Sequence, residues 1–205
     1  MSIPPYMVFR ILAFLMAAAV FYALNSGTNE QKKEWTSSFL SFISTVFIYM
    51  FLMKFITNYS MLLEYPGAVA AYPSGTLEFY LALMATAVHY IKTARQEYTS
   101  SFLQAMLQMM AGSQFFFYFF LRVIEDDKVW VELTLWFFIF TGSLIIQKYY
   151  LVLWLLCMIA ASVLSFTYIV PDVMAIRVHS FFYVILIGVF LFLLLKQRGF
   201  YKIGN

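Results

Sequence analysis

The sequence predicts an all-α protein, a polytopic transmembrane helix bundle of about seven spans, with its N-terminus outside and its C-terminus cytoplasmic. Three observations predict it. The chain is 63% hydrophobic and only 11% charged, with a mean hydropathy of +0.83, whereas soluble domains are about half apolar and about a quarter charged. A chain so poor in polar groups cannot cover a globular surface and needs lipid, or other membrane proteins, around it. The apolar residues also gather into runs of roughly 17 to 25, the length at which a helix crosses the hydrocarbon of a bilayer. Finally, lysine and arginine fall unequally in alternate connections, which sets an orientation.

The seven expected spans are 6–25, 35–56, 76–92, 99–122, 129–147, 149–170 and 176–196, in a single integral membrane domain over 1–205. Within the first, Arg10 precedes the apolar run Ile11 to Leu24 as in a signal peptide, but the following Asn25-Ser26-Gly27 lacks a small-x-small cleavage site, so it reads as a retained helix. The fifth and sixth are parted only by Gln147-Lys148-Tyr149. Joined, they would run for about 60 Å, twice the hydrocarbon thickness of about 30 Å, so the helix must break, and Lys148 marks the place. Alternation puts Lys32, Lys33, Lys92, Arg95, Lys148, Lys196, Arg198 and Lys202 on one side, and Arg10, Lys54, Arg122, Lys128 and Arg177 on the other. The richer side is cytoplasmic.

The connection between Thr57 and Gly75 carries two turn signals, Tyr65-Pro66-Gly67 and Tyr72-Pro73-Ser74-Gly75. It reads as an interfacial loop with tyrosine anchors, or as one folded back onto the bundle. Asn58-Tyr59-Ser60 is a formal glycosylation acceptor, but it stands too close to the second span for use.

One heptapeptide recurs. Glu34-Trp35-Thr36-Ser37-Ser38-Phe39-Leu40 returns as Glu97-Tyr98-Thr99-Ser100-Ser101-Phe102-Leu103, with one aromatic exchanged for another. Both copies follow a basic connection, and both are expected to open a helix. Shared helix-start chemistry explains this: a hydroxyl cap, an acid by the positive end of the dipole and an interfacial aromatic. The other reading is duplication of a two-helix unit, 6–56 and 76–122.

Ionisable and amide side chains at membrane depth are expensive, so they are the functional candidates. In the third span Glu78, Ala82, Ala85 and His89 share one helix face. Glu78 at one end and His89 at the other outline a proton or cation path, or two interfacial residues with alanines for packing between them. His89 is expected to face the bundle interior. Lys54 is the expected partner of Glu78, because spans two and three are neighbours and should pack antiparallel. In the fourth span Ser101, Gln104, Gln108 and Gly112 share a face. Such glutamines bond across to another helix, each worth about a kcal/mol or less, or they line a solute path.

Chemistry is bounded by what is missing from the sequence. Cys157 is the one cysteine, so neither a disulfide framework nor a dithiol relay can form within the chain. No metal or cofactor is expected. His89 and His179 lie near opposite ends of their spans, too far apart to share a haem. The net charge of +3 is scattered, which gives no reason for nucleic-acid binding and no polybasic lipid patch. The sequence lacks Gly-x-Ser-x-Gly and His-Glu-x-x-His. The expected function is that of a non-catalytic multi-pass membrane protein: a scaffold, an assembly factor or a subunit of a membrane complex. The alternatives are a small carrier or channel for protons, cations or a small solute, and a lipid-modifying enzyme.

Overall fold

A computed structural model describes residues 5–71, 74–93, 99–125, 129–146, 149–167, 172–173 and 176–203. The described chain is helical except for one short ladder. Its elements are α1 (Pro5–Leu24), α2 (Asn29–Thr57), α3 (Tyr59–Glu64), α4 (Pro66–Ala71), α5 (Thr76–Thr93), α6 (Ser100–Ile124), α7 (Trp130–Ile145), α8 (Tyr150–Thr167), β1 (Asp172–Val173), β2 (Ile176–Arg177) and α9 (Ser180–Ile203). Among the described residues, three helices are long and apolar enough to cross a membrane: Tyr6–Leu24, Asn29–Thr57 and Ser100–Ile124. The apolar helices Trp130–Ile145, Tyr150–Phe166 and Ser180–Leu195 are shorter. The 16 residues of α7 rise only about 24 Å. The lipid-level expectation therefore stands directly on three helices, while the count of seven spans goes beyond them.

The chain divides into two compact units, 1–21 with 104–205, and 22–103. In the second unit α2 and α5 pack side by side. Phe42 meets Tyr90, Tyr49 meets His89, and Thr57 meets Glu78. Partner numbers fall on α5 as they rise on α2, so the pair is antiparallel, as neighbours on one hairpin should be. In the first unit the same test makes α1 antiparallel to α6, through Phe9 with Phe120 and Ala17 with Gly112. It makes α6 antiparallel to α7 through Gln108 with Ser143 and Phe115 with Phe137. Trp154 of α8 sits among Trp136 of α7 and Phe190 of α9, stacked on the latter at 17° and 5.8 Å. Aromatic area of this kind supplies packing where lipid removes the hydrophobic drive between helices.

Several expectations are corrected. The second helix begins at Asn29, six residues before the apolar run. Thr28 and Gln31 form a reciprocal capping box there, with Thr28 Oγ1 accepting from the Gln31 amide at 3.3 Å and Gln31 Oε1 from the Thr28 amide at 3.2 Å. A helix satisfies its own backbone, so it continues past the apolar stretch into the polar layer. The first heptapeptide copy therefore does not open a helix; it lies inside α2. In the second copy Thr99 Oγ1 accepts from the Phe102 amide at 3.2 Å, as a helix-start hydroxyl should. Its Glu97 and Tyr98 lie outside the described residues, as do Gln147 and Lys148 at the expected helix break. The helix itself is divided there, α7 ending at Ile145 and α8 starting at Tyr150. The last helix begins later than the span expected at 176–196, at Ser180. Ile176 and Arg177 instead pair with Asp172 and Val173 in an antiparallel ladder.

The Thr57–Gly75 connection, expected as a loop with two turns, is helical over Tyr59–Glu64 and Pro66–Ala71. Its two six-residue helices pack on each other and on α2, and Val69 is fully buried. The Tyr72-Pro73 turn signal lies outside the described residues. Asn58 caps α2: its amide nitrogen Nδ2 donates to Lys54 O at 3.1 Å and to Thr57 Oγ1 at 2.9 Å.

Candidate functional site

Glu78 sits three residues inside α5 and reaches back to the start of its own helix. Its Oε2 accepts from the Gly75 amide at 2.8 Å, satisfying a donor that has no partner within the helix. Its Oε1 accepts from the Thr57 hydroxyl of α2 at 2.6 Å. The carboxylate thus ties the start of one helix to the end of its neighbour. Lys54, the expected partner, is buried one turn before Thr57, and its ammonium lies 5.6 Å from the centroid of the Phe51 ring.

His89 lies at the other end of α5. It is exposed instead of facing the interior, and its Nδ1 is 3.1 Å from the Tyr49 hydroxyl of α2. Helix periodicity placed Glu78 and His89 on one face correctly, since both meet α2. It could not tell that α5 turns His89 to the edge of that contact. The alanines between them divide in burial: Ala82 is fully buried and Ala85 half-buried.

Gln104 and Gln108 belong to the other unit. Gln104 is half-buried. Gln108 is 4% exposed, and its Nε2 donates to the Ser143 carbonyl of α7 at 2.7 Å. This is interhelical glue of the expected kind. Substituting Gln108→Leu should lower thermal stability in detergent by no more than about a kcal/mol, because Leu fills the space while the Ser143 carbonyl loses this one donor. A loss several times larger would show that Gln108 anchors a wider polar network.

The site that sequence reasoning missed is in the same unit. The charge count places Arg10 at the outer end of the first span, yet it is 2% exposed on α1. Its Nη1 donates to Gln114 Oε1 of α6 at 2.7 Å, and its guanidinium carbon lies 3.5 Å from the centroid of the Phe117 ring. Gln114 and Phe117 are three residues apart and share a helix face, so one planar cation meets an amide and a π face together. The signal was available. Arg10 falls inside the apolar run 6–25, where an ionisable side chain is a candidate by default.

Two open grooves lie along α2. One is lined by Lys33, Thr36, Ser37, Ser41 and Ser44, with Tyr22 beside them. The other runs between α2 and α5 past His89. Among the described residues, no group of three or more His, Cys, Asp or Glu side chains is placed to hold a metal ion. No protein-family model, curated protein or solved structure matches this chain.

Proposed function

We propose that this chain is a non-catalytic multi-pass membrane protein that serves as a scaffold, an assembly factor or a subunit of a larger membrane complex. The observation that carries the reading is the use made of its polar side chains. Glu78 caps a helix and holds Thr57, His89 bonds Tyr49, Gln108 bonds a backbone carbonyl, and Arg10 holds Gln114. A carrier for protons, cations or a small solute needs such groups along one water path, and a lipid-modifying enzyme needs them converging on one point. Here they join helix to helix. Large apolar side chains meanwhile face outward, Phe181 at 72% exposed and Phe138 at 66% among them, which suits lipid or a partner's helices.

The reading includes seven spans with the C-terminus cytoplasmic. With Arg10 withdrawn into a helix contact, the basic residues divide eight against four rather than eight against five, which strengthens the positive-inside bias. It also includes a Lys54–Glu78 pair, supported by the Thr57–Glu78 bond one turn beyond Lys54.

Purification in mild detergent from native membranes should yield the chain in a fixed stoichiometry with another membrane protein, and the chain alone in vesicles should conduct neither protons nor cations. A chain that purifies alone and gives a pH-dependent flux, abolished by Glu78→Gln, would replace the scaffold with the carrier.

A further inference from the structure

We propose that the groove between α2 and α5 binds an anionic phospholipid, with the headgroup phosphate at Lys92 and His89 and an acyl chain along Met84, Ala85 and Val88. The groove has a volume of about 510 Å³, and its lining is polar at one end and apolar at the other. At the C-terminal end of α5 stand His89, Lys92 and Thr93, with Tyr49 of α2 opposite; one to two turns back lie Val88, Ala85 and Met84. Lys92 and Met84 are eight residues apart, about 12 Å along the helix. That places a cation over an apolar trough at the spacing between a headgroup phosphate and the upper acyl chain. Met84 is 68% exposed and Val88 51%, so the trough is open.

The polar end is built for a phosphoryl group. The Tyr49 hydroxyl occupies His89 Nδ1 at 3.1 Å. With the phenol as donor, the ring proton sits on Nε2, which then donates to a phosphoryl oxygen. Lys92 is exposed and brings a positive charge with three donors. The Thr93 hydroxyl donates to the His89 carbonyl at 2.5 Å, so Thr93 forms wall and not ligand. The acid of this helix, Glu78, is fourteen residues away, about 21 Å, and is held by Thr57 and Gly75. Among the residues lining the groove Lys92 carries the fixed charge, which favours an anion. A free phosphate would use the cation and leave the apolar trough unfilled, and a choline headgroup would carry its own cation into the field of Lys92; an anionic lipid satisfies both ends.

The proposal rests on α2 and α5 lying in the bilayer and not on the scaffold role. The test is thermal unfolding of the full chain in detergent micelles, titrated with short-chain phosphatidylglycerol, with phosphatidylcholine of the same chains, or with inorganic phosphate. Phosphatidylglycerol should raise the midpoint saturably, phosphatidylcholine should do so at higher concentration, and phosphate should not move it. Lys92→Gln should weaken the phosphatidylglycerol response about fivefold, the loss of one cation near an anionic headgroup. Val88→Trp, at a half-exposed position, should fill the trough and abolish the response. Variants that keep the wild-type response, or a full shift with inorganic phosphate alone, would overturn the proposal. If Val88→Trp fails to fold, the exposed Lys92→Gln decides. A missing protein partner would leave these results unchanged, whereas a chain soluble without detergent would remove the membrane reading and this site with it.

Discussion

Replacing Arg10 by Met is expected to lower the thermal midpoint in detergent by the largest margin of any polar substitution in the chain, with a loss of about 2 kcal/mol or more. The exchange keeps the side chain long and removes its charge. Gln114 then loses the donor that sits 2.7 Å from its Oε1, at a residue that is 2% exposed. A buried polar atom stripped of its partner costs about 1–3 kcal/mol. The guanidinium stacked on Phe117 adds a desolvated cation–π contact of about 2 kcal/mol. Relief from burying a charge offsets part of this, which sets the net figure below the sum. Two controls separate the terms. Arg10→Lys keeps the charge but lacks the planar fork, so it should recover only part of the loss. Arg10→Met with Gln114→Leu replaces both partners by apolar groups and should recover most of the share owed to Gln114. A double variant no better than Arg10→Met would place the cost elsewhere than in this pair.

Gly112→Leu should damage the same unit by overpacking. A Cβ at Gly112 would lie 3.0 Å from Phe140 Cε2 and 3.3 Å from Ala17 Cβ. Three helices meet at that point: α1 through Ala17, α6 through Gly112 and α7 through Phe140. Phe140 cannot simply swing aside, because it stacks on Phe115 at 15° and touches Phe116 edge-on. Forcing extra carbons into such a contact costs about 1–3 kcal/mol. Small residues at close helix crossings are the usual means by which membrane helices approach one another. Gly112→Ala should be mild, since a few tenths of an ångström of give would admit one methyl. Gly112→Leu combined with Phe140→Leu should regain part of the loss. Equal stability of wild type and Gly112→Leu would mean that the three helices do not meet at Gly112.

What could be read from the sequence follows from what a one-dimensional pattern carries. Apolar runs located the helices in order, and the break between α7 and α8 followed from the length of the joined run. Spacing placed Glu78 and His89 on the face that meets α2, and Gln108 on a face that meets another helix. The start of α2 was misplaced because hydropathy marks where the chain turns apolar, not where the backbone turns helical; Thr28 and Gln31 carried the true signal three residues apart. The turn signal at Tyr65-Pro66-Gly67 points to a loop where α4 stands, although proline is tolerated in a first helical turn, and six-residue helices such as α3 and α4 are too short to leave a periodic pattern. The Arg10 contact was not legible. It joins residues 104 positions apart, and nothing in the order of the chain says that α1 packs on α6. Arg10 could be flagged as costly, but its partner could not be named.

The proposed role requires the chain to cross the membrane several times with its C-terminus inside. Single cysteines placed by Lys33→Cys, Glu97→Cys, Lys202→Cys or Asp126→Cys in a Cys157→Ser background, probed with a membrane-impermeant maleimide, measure this directly. Cys157 is buried, so its removal leaves a silent background. In intact cells the cysteine at position 126 should react, while those at 33, 97 and 202 should react only after permeabilisation. Reaction of the 33, 97 or 202 cysteine in intact cells would contradict the span count or the orientation.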